Sequence, residues 1–431
     1  MTLSEEAELR TRVEQASADE LGAILRESFD ANQAALRDLL GTSCHSRLLG
    51  LAMRFRSRGD EGGRRGNVVV VPGWMGCSLC EFTAAGPVRV WLDLPQLAAG
   101  AFSRLKLEPD GRSAAYDVRA SGISACTYGA LLLTLSQHWN VHAFWYDWRK
   151  GFDLAADELA GRAATWFGAD EPFHIVAHST GGLVARAFVQ RHPRQWQVGG
   201  GRSRLIMLGT PQHGSFTACQ LLSGLDLTLH KLAAAQQQGS VNEITDVVRT
   251  FPSVYCMLPS CLHEPAAAAL YDAENWGDAS ISQLHLDQAK KFHQSLATTV
   301  DPQRMLQIVG CHQPTLASIE DYQQLDQEDA YRLSTHGDGL VTHALAELST
   351  AQGQAVPTYY VDQRNANLPL HPDVLLAVGE LLERGTTQTL ASIPLGARGK
   401  RGGRSTTRPS RAELHRHWRA GVDSGLTRLR S

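Results

Sequence analysis

Hydrophobic and polar positions follow two rhythms along this chain. Near the N-terminus the rhythm is helical. Leu21, Ile24, Leu25, Phe29, Leu36, Leu39 and Leu40 recur at helical spacing behind Ser17, Ala18, Asp19 and Glu20, which read as a capping box, and Gly41 stops the run. A polar, Gly-rich stretch at 56–66 reads as a linker. Short apolar runs then alternate with helical patterns. The valines of Asn-Val-Val-Val-Val-Pro at 67–72 suit a strand buried on both faces of a parallel sheet. Further strands are expected at 141–146, 173–177, 204–209, 307–310 and 359–361. Helices are expected at 130–136, 154–166, 183–190 and 374–382. This alternation predicts an α/β fold with a mostly parallel central sheet and helices on both faces.

One long segment breaks the rhythm. Residues 217–300 are rich in Leu, Ala and Gln with helical patterning, and read as a cap inserted over the sheet. From about residue 391 the composition turns to Gly, Arg, Ser and Thr, as in a disordered tail, with 412–420 able to form a short helix. The expected organisation is a helical element and linker at 1–60, one large domain at 61–390 carrying the cap, and a tail at 391–431.

Composition narrows the picture. The chain has 431 residues, 43% hydrophobic and 20% charged, with a formal net charge of −3, so no global field draws it to nucleic acid. Charge is uneven, because the tail from Ala397 holds ten Arg and Lys residues against Glu413 and Asp423. That tail could touch an anionic membrane surface or remain solvated, and nucleic acid is not the expected partner. No run approaches the roughly 20 apolar residues of a membrane span. The acidic start, Met-Thr-Leu-Ser-Glu-Glu-Ala-Glu, lacks a signal-peptide core, so the expectation is cytoplasmic, peripheral at most to the inner membrane surface. The eight Cys are scattered; Cys77 and Cys80 form a C-x-x-C with no second pair and are expected to be free thiols.

The most informative segment is 173–186. An apolar run ends in Ala177, His178, Ser179, Thr180, Gly181 and Gly182, and a helical pattern follows at once. This is the sequence form of a nucleophile elbow, in which Ser179 sits on a sharp strand-to-helix turn between small residues. A serine hydroxyl needs a base, a residue that orients the base, and donors for a developing oxyanion. In such elbows the chain order is Ser, then Asp or Glu, then His. His371, in a loop between the last strand and the helix at 374–382, is the candidate base among seventeen His residues. His178, His213, His312, His336 and His343 also compete for that role. Asp338, between Gly337 and Gly339, is the candidate orienting acid. The backbone N–H groups of Thr180 and of Trp74, in the loop after the first strand, are the candidate oxyanion donors. This chemistry calls for no cofactor and no metal.

Several segments, taken in order, are similar to one family. Val71-Pro-Gly-Trp-Met-Gly76, Val90-Trp-Leu-Asp-Leu94, Tyr146-Asp-Trp-Arg149, Ala177–Gly181, Leu208-Gly-Thr-Pro211 and Gly337-Asp-Gly339 span roughly 67–385. In these the chain resembles the lecithin:cholesterol acyltransferase and lysosomal phospholipase A family of α/β-hydrolases, in a bacterial-type form. The resemblance implies Ser179, Asp338 and His371 as a triad, Trp74 and Thr180 as the oxyanion hole, and chemistry at a lipid acyl ester. The implied activity is a serine esterase or lipase, or an O-acyltransferase using the same acyl-enzyme. A non-catalytic scaffold that binds a protein or lipid is the alternative. Ala177 stands where the family usually has Gly, and Leu340 where it often has Thr. The stretch from Gly76 to Trp91 is short, so the long lid of animal members is reduced. These departures, with the missing signal peptide, count against lipoprotein binding and cholesterol as acceptor. For Trp91, Asp93, Asp147 and Arg149 an ion-pair or packing role is expected.

Overall fold

A computed structural model describes residues 3–27, 33–56, 63–236 and 239–394. The basic tail, part of the linker and residues 28–32 of the expected N-terminal helix lie outside the described residues. Eleven strands are described: β1 (Asn67–Val71), β2 (Cys77–Thr83), β3 (Gly86–Trp91), β4 (Val118–Ile123), β5 (Asn140–Ala143), β6 (Phe173–His178), β7 (Leu205–Leu208), β8 (Met305–Gly310), β9 (Thr315–Ile319), β10 (Tyr331–Ser334) and β11 (Thr358–Val361).

Six of them form the central sheet in the order β11-β8-β7-β6-β1-β5, and every pairing is parallel. The valine run of β1 is buried because it lies between β6 and β5 with packing on both faces. Side-chain alternation sends Val69 and Val71 to one face, with Ile175, Ala177 and Met207, against the cap. Val68 and Val70 go to the other, with Val176, Ile206 and Leu208. That second face is covered by the C-terminal helix Pro372–Arg384 and by the N-terminal helices, through Leu21, Leu25 and Leu48. The strand expected at 141–146 ends at Ala143, because its one neighbour in the sheet, β1, ends at Val71.

The expected N-terminal helix is described in pieces, Ala18–Glu27 and Gln33–Leu40, preceded by Leu3–Gln15 and followed by Thr42–Arg56. The Ser17–Glu20 capping contacts form as read. The segment between β7 and β8 is helical, from Thr217–Ser223 to Gln283–Leu296. The sequence pattern does not reveal an antiparallel sheet, β3-β2-β4, or a two-stranded pair, β9-β10. Their strands mix polar and apolar residues irregularly, and both sheets carry register shifts that break the alternation. Cys77 and Cys80 fall on β2 rather than in the loop before it, and both are free thiols. Cys44 and Cys126 form a disulfide, with Cα atoms 5.6 Å apart, that ties the helix Thr42–Arg56 to the helix Ala125–Leu135. Disulfides persist chiefly in oxidising compartments, whereas the sequence pattern points to the cytoplasm. Among the described residues no helix is long and apolar enough to cross a membrane.

Candidate active site

β1 lies one strand in from the edge of the sheet, with the edge strand β5 on one side and β6 on the other. The chain therefore reverses its direction of travel between β1 and β6, and their carboxyl ends adjoin at that switch point, with Val71 level with Ala177. The loop after β1 and the turn after β6 are thus forced together.

Ser179 occupies that turn with φ 52, a left-handed conformation that non-Gly residues adopt rarely and under strain. Its N–H donates to Leu208 O at 2.7 Å, and its carbonyl accepts from Gly182 N at 3.0 Å, so both flanks are held. The helix Gly181–Arg191 begins at once. A Cβ at Gly181 would lie 2.5 Å from Pro72 O and 2.6 Å from Val71 O, so only glycine lets the two backbones pass this closely. Ala177, at the other flank, is fully buried and accommodated.

The loop after β1 is held at three successive residues. Pro72 O accepts from Tyr146 Oη at 3.1 Å, Gly73 N donates to Tyr128 Oη at 2.9 Å, and Trp74 N donates to Thr180 Oγ1 at 2.7 Å. The Trp74 ring packs edge-on against Trp148 at 5.6 Å, and Trp148 against Trp91 at 5.4 Å. Trp91 donates to Met75 O, and Arg149, fully buried, pairs with Asp147 and donates to Leu105 O and Val118 O. Asp93 caps the helix Leu94–Ala98. Of these, Trp91 reaches the loop itself, while the Arg149–Asp147 pair and the Asp93 cap hold neighbouring segments. A Cβ on Gly73 would sit 2.9 Å from Ser179 Cβ and 3.2 Å from His178 O. Gly73→Ala is therefore expected to push the loop away from Ser179 and lower any Ser179-dependent turnover roughly 100-fold, a loss typical of misplacements near 1 Å. Paired kinetics and thermal melts check this, since the melting temperature should move by less than about 5 °C.

Ser179, Trp74, Thr180, Asp338 and His371 all line one cavity of about 630 Å³, a volume suited to a small ligand or a lipid chain. Ala218, Leu221 and Met257 from the cap, with Leu340 and Leu370, give it an apolar wall. Ser43, Cys44 and Arg47 reach it from the N-terminal helices, a contribution that the sequence pattern does not suggest.

Asp338 is fully buried. Its Oδ1 accepts from Leu340 N at 3.0 Å and Val341 N at 2.7 Å, and its Oδ2 accepts from Asn365 Nδ2 at 2.6 Å. Burial pushes its carboxyl up to about 6 despite these donors. His371 sits at the N-cap of the helix Pro372–Arg384, and its Nδ1 is buried with no hydrogen-bond partner among the described residues. No hydrogen bond joins His371 to Asp338 or to Ser179 in this structure.

Among the described residues, His178 and His371 are the histidines that line the cavity. His178 has both ring nitrogens engaged, Nδ1 with Tyr128 Oη at 2.9 Å and Nε2 with Asn365 O at 3.0 Å. Burial also lowers its pKa to about 4. The remaining candidate histidines lie away from the cavity: His213 stacks on His263, His312 faces Asp362, and His336 stacks on His343. Sequence reasoning misses Tyr128 and Asn365. Asn365 opens the segment that carries His371, but nothing in the pattern marks Tyr128, which meets Gly73 from 55 residues away.

A family model for lecithin:cholesterol acyltransferase matches residues 135–382, more than half of the chain. The chain belongs to the lecithin:cholesterol acyltransferase family. The matched range contains Ser179, Asp338 and His371, and leaves the loop after β1 outside it. Membership in the lecithin:cholesterol acyltransferase family places the chain among hydrolases and acyltransferases of lipid esters. No curated protein matches it. Among solved structures, a Tle4–Tli4 complex is similar at 12% identity over 85% of this chain and 99% of that chain, with a TM-score of 0.44. Bacillus licheniformis lipase BlEst2 in mature form is similar at 13% identity over 75% and 96%, with a TM-score of 0.35. An acetylester hydrolase from Corynebacterium glutamicum is similar at 11% identity over 75% and 86%, with a TM-score of 0.28.

Proposed function

We propose that the protein is a serine-dependent acyl-ester hydrolase or O-acyltransferase that works through an acyl-enzyme on Ser179. The observation that carries this reading is Ser179 itself, held in a left-handed turn at the sheet's switch point and lining the same cavity as His371 and Asp338. Ser179 Oγ bonds to the ester carbonyl carbon as His371 Nε2 takes the hydroxyl proton. The tetrahedral oxyanion receives the N–H groups of Trp74 and Thr180, and the Thr180 hydroxyl that now accepts from Trp74 turns aside. The carbon–oxygen bond to the alcohol breaks, and that oxygen leaves with the proton from His371. Water or a second alcohol then attacks the acyl-enzyme, gives its proton to His371, and the acyl group departs as the Oγ is reprotonated.

Asp338 orients the base in this reading. A carboxylate offers about four lone-pair sites, and three donors reach Asp338, so one site remains for His371 Nδ1–H. A side-chain rotation of His371 makes that bond, since catalytic contacts often tighten only when substrate is present. The apolar cavity wall holds the acyl chain.

Fluorophosphonate labelling tests the reading. Wild-type protein should take up the probe on the peptide containing Ser179, and a folded wild type that stays unlabelled with and without detergent would overturn it. Acceptor choice is read separately: added alcohol should raise ester product without lowering total acyl release if transfer occurs.

The reading also fixes a pH response. Asp338 must be ionised to orient His371, and burial raises its pKa from 3.8 to about 6. The kcat/KM profile should therefore fall as pH drops through about 6. Stability runs the opposite way for this group. Because the folded pKa is raised, Asp338 favours the fold most below its ordinary carboxylate range, and that contribution is lost as pH rises through about 6. Comparing the pH dependence of melting in wild type and Asp338→Asn isolates this contribution.

A further inference from the structure

One chain of hydrogen bonds runs beneath the site and uses no group assigned a chemical step. Gly73 N donates to Tyr128 Oη at 2.9 Å, Tyr128 Oη meets His178 Nδ1 at 2.9 Å, and His178 Nε2 meets Asn365 O at 3.0 Å. Asn365 continues it, donating from its backbone N to Asp338 O at 2.8 Å and from Nδ2 to Asp338 Oδ2 at 2.6 Å and Gly209 O at 2.7 Å. Tyr128, His178 and Asn365 are all buried.

The direction of every bond is fixed by chemistry. A backbone carbonyl only accepts, so His178 Nε2 carries the proton that goes to Asn365 O. A neutral imidazole then leaves Nδ1 as an acceptor, which takes the Tyr128 hydroxyl proton, and Tyr128 Oη is free to accept from Gly73 N–H. A second proton on His178 would reverse that link, with Nδ1 donating to Tyr128 Oη, but burial lowers the pKa of His178 to about 4 and keeps the ring neutral. The chain ties the loop after β1 to the segment 365–371 through the helix Ala125–Leu135 and the residue before Ser179.

We infer that Tyr128 and His178 are positioning residues for ester turnover. They hold the Gly73–Trp74 backbone and the Asn365–Asp338 pair in one register, so that the oxyanion donors and the orienting acid stay aligned on opposite sides of Ser179. This rests on the serine acyl-enzyme reading above. Both line the cavity, and each acts on the reacting atoms through a neighbour: Tyr128 through the Gly73 backbone, and His178 through Asn365, which holds Asp338.

The test uses the full chain and p-nitrophenyl butyrate as the probe substrate, with Tyr128→Phe, His178→Ala, His178→Gln, the double variant Y128F/H178A, Ser179→Ala and Tyr331→Phe. Tyr331 Oη makes a comparable buried bond, to Leu325 O at 2.8 Å, and does not line the cavity. Tyr128→Phe should lower kcat about 10- to 100-fold with KM within about threefold, the range expected when reacting groups lose alignment. His178→Ala should do the same, and the double variant should be no worse than His178→Ala, because both changes cut one chain. His178→Gln keeps an amide N–H for Asn365 O and an amide oxygen for Tyr128, and should recover at least a third of the lost kcat on a logarithmic scale. Tyr331→Phe should lower the melting temperature and leave kcat unchanged. The inference is overturned if Tyr128→Phe loses melting temperature like Tyr331→Phe yet keeps kcat within twofold. If His178→Ala does not fold, Tyr128→Phe alone decides, since it removes one hydroxyl. Ser179→Ala separates the two failures: an inactive Ser179→Ala beside a fully active Tyr128→Phe ends the positioning role alone, whereas an active Ser179→Ala ends the acyl-enzyme reading on which it stands.

Discussion

Ser179→Ala is expected to lower ester turnover by roughly 10⁴- to 10⁶-fold while leaving the fold intact. The magnitude follows from what the side chain does in the proposed cycle. Without Oγ no acyl-enzyme forms, and the base has no proton to take. What remains is the contribution of the oxyanion donors and of substrate binding, which in comparable sites keeps rates about 10³-fold or more above water. The fold should survive because alanine occupies the same turn, keeps the backbone bonds to Leu208 O and from Gly182 N, and loses a single oxygen. Steady-state kinetics with a p-nitrophenyl ester, beside a melt, checks both halves. Turnover within tenfold of wild type would remove Ser179 from the chemistry.

Asp338→Asn is expected to lower kcat by about 10⁴-fold, and for a reason specific to its surroundings. The carboxylate accepts three N–H donors on its two oxygens. An asparagine offers one oxygen and one NH₂. If its oxygen faces Leu340 and Val341, its NH₂ confronts the Nδ2 of Asn365, donor against donor. If it turns over, the two backbone donors lose their acceptor. Either way a fully buried group is left mismatched, at a cost of about 1–3 kcal/mol of stability. In the first orientation the NH₂ also takes the Oδ2 position that has the open site for His371 Nδ1–H, so the base loses its acceptor as well. A compensating Asn365→Asp should not regain stability, because Asn365 Nδ2 also donates to Gly209 O and a carboxylate there would face that carbonyl. Steady-state kinetics beside a melt checks both effects, and an Asp338→Asn variant that melts lower yet turns over within tenfold of wild type would show that Asp338 acts only by holding its loop.

Much of this arrangement is legible in the sequence. The valine run at 67–72 and the elbow at 177–181 are local signals: each names its own strand, turn and neighbour, and the parallel sheet follows from their alternation with helices. Ser179 stands out in the same way; Asp338 and His371 are reached by chain order and the resemblance, His371 from among seventeen histidines, and all three line one cavity. What the sequence hides is non-local or irregular. β2, β3 and β4 carry mixed polar and apolar residues with register shifts, so no period of two announces them. Tyr128 looks like one more apolar position in a helix rich in leucine, and its role emerges only when the fold sets it under Gly73. The pairing of Cys44 with Cys126 joins residues 82 apart, a separation that spacing rules do not encode. Arg149 reads as structural, and the structure supplies the partners that a buried arginine needs in Asp147 and two backbone carbonyls.

The N-terminal helices bear on how this chain is made. They cover a face of the central sheet, yet they precede its first strand. On the ribosome they emerge before anything exists for them to cover. Leu21 and Leu25 share their apolar cluster with Val68, Leu131 and Val141, and with Ile308 and Val378 much later. At about 5–20 residues per second, the wait from Leu25 to Val141 is on the order of ten seconds, and to Val378 longer still. Throughout that interval an amphipathic helical segment stands with its apolar stripe open to solvent, to chaperones and to other nascent chains. The layer that completes the sheet is thus synthesised ahead of the sheet and among the last to be buried, which makes the yield of folded protein sensitive to the pace of its translation.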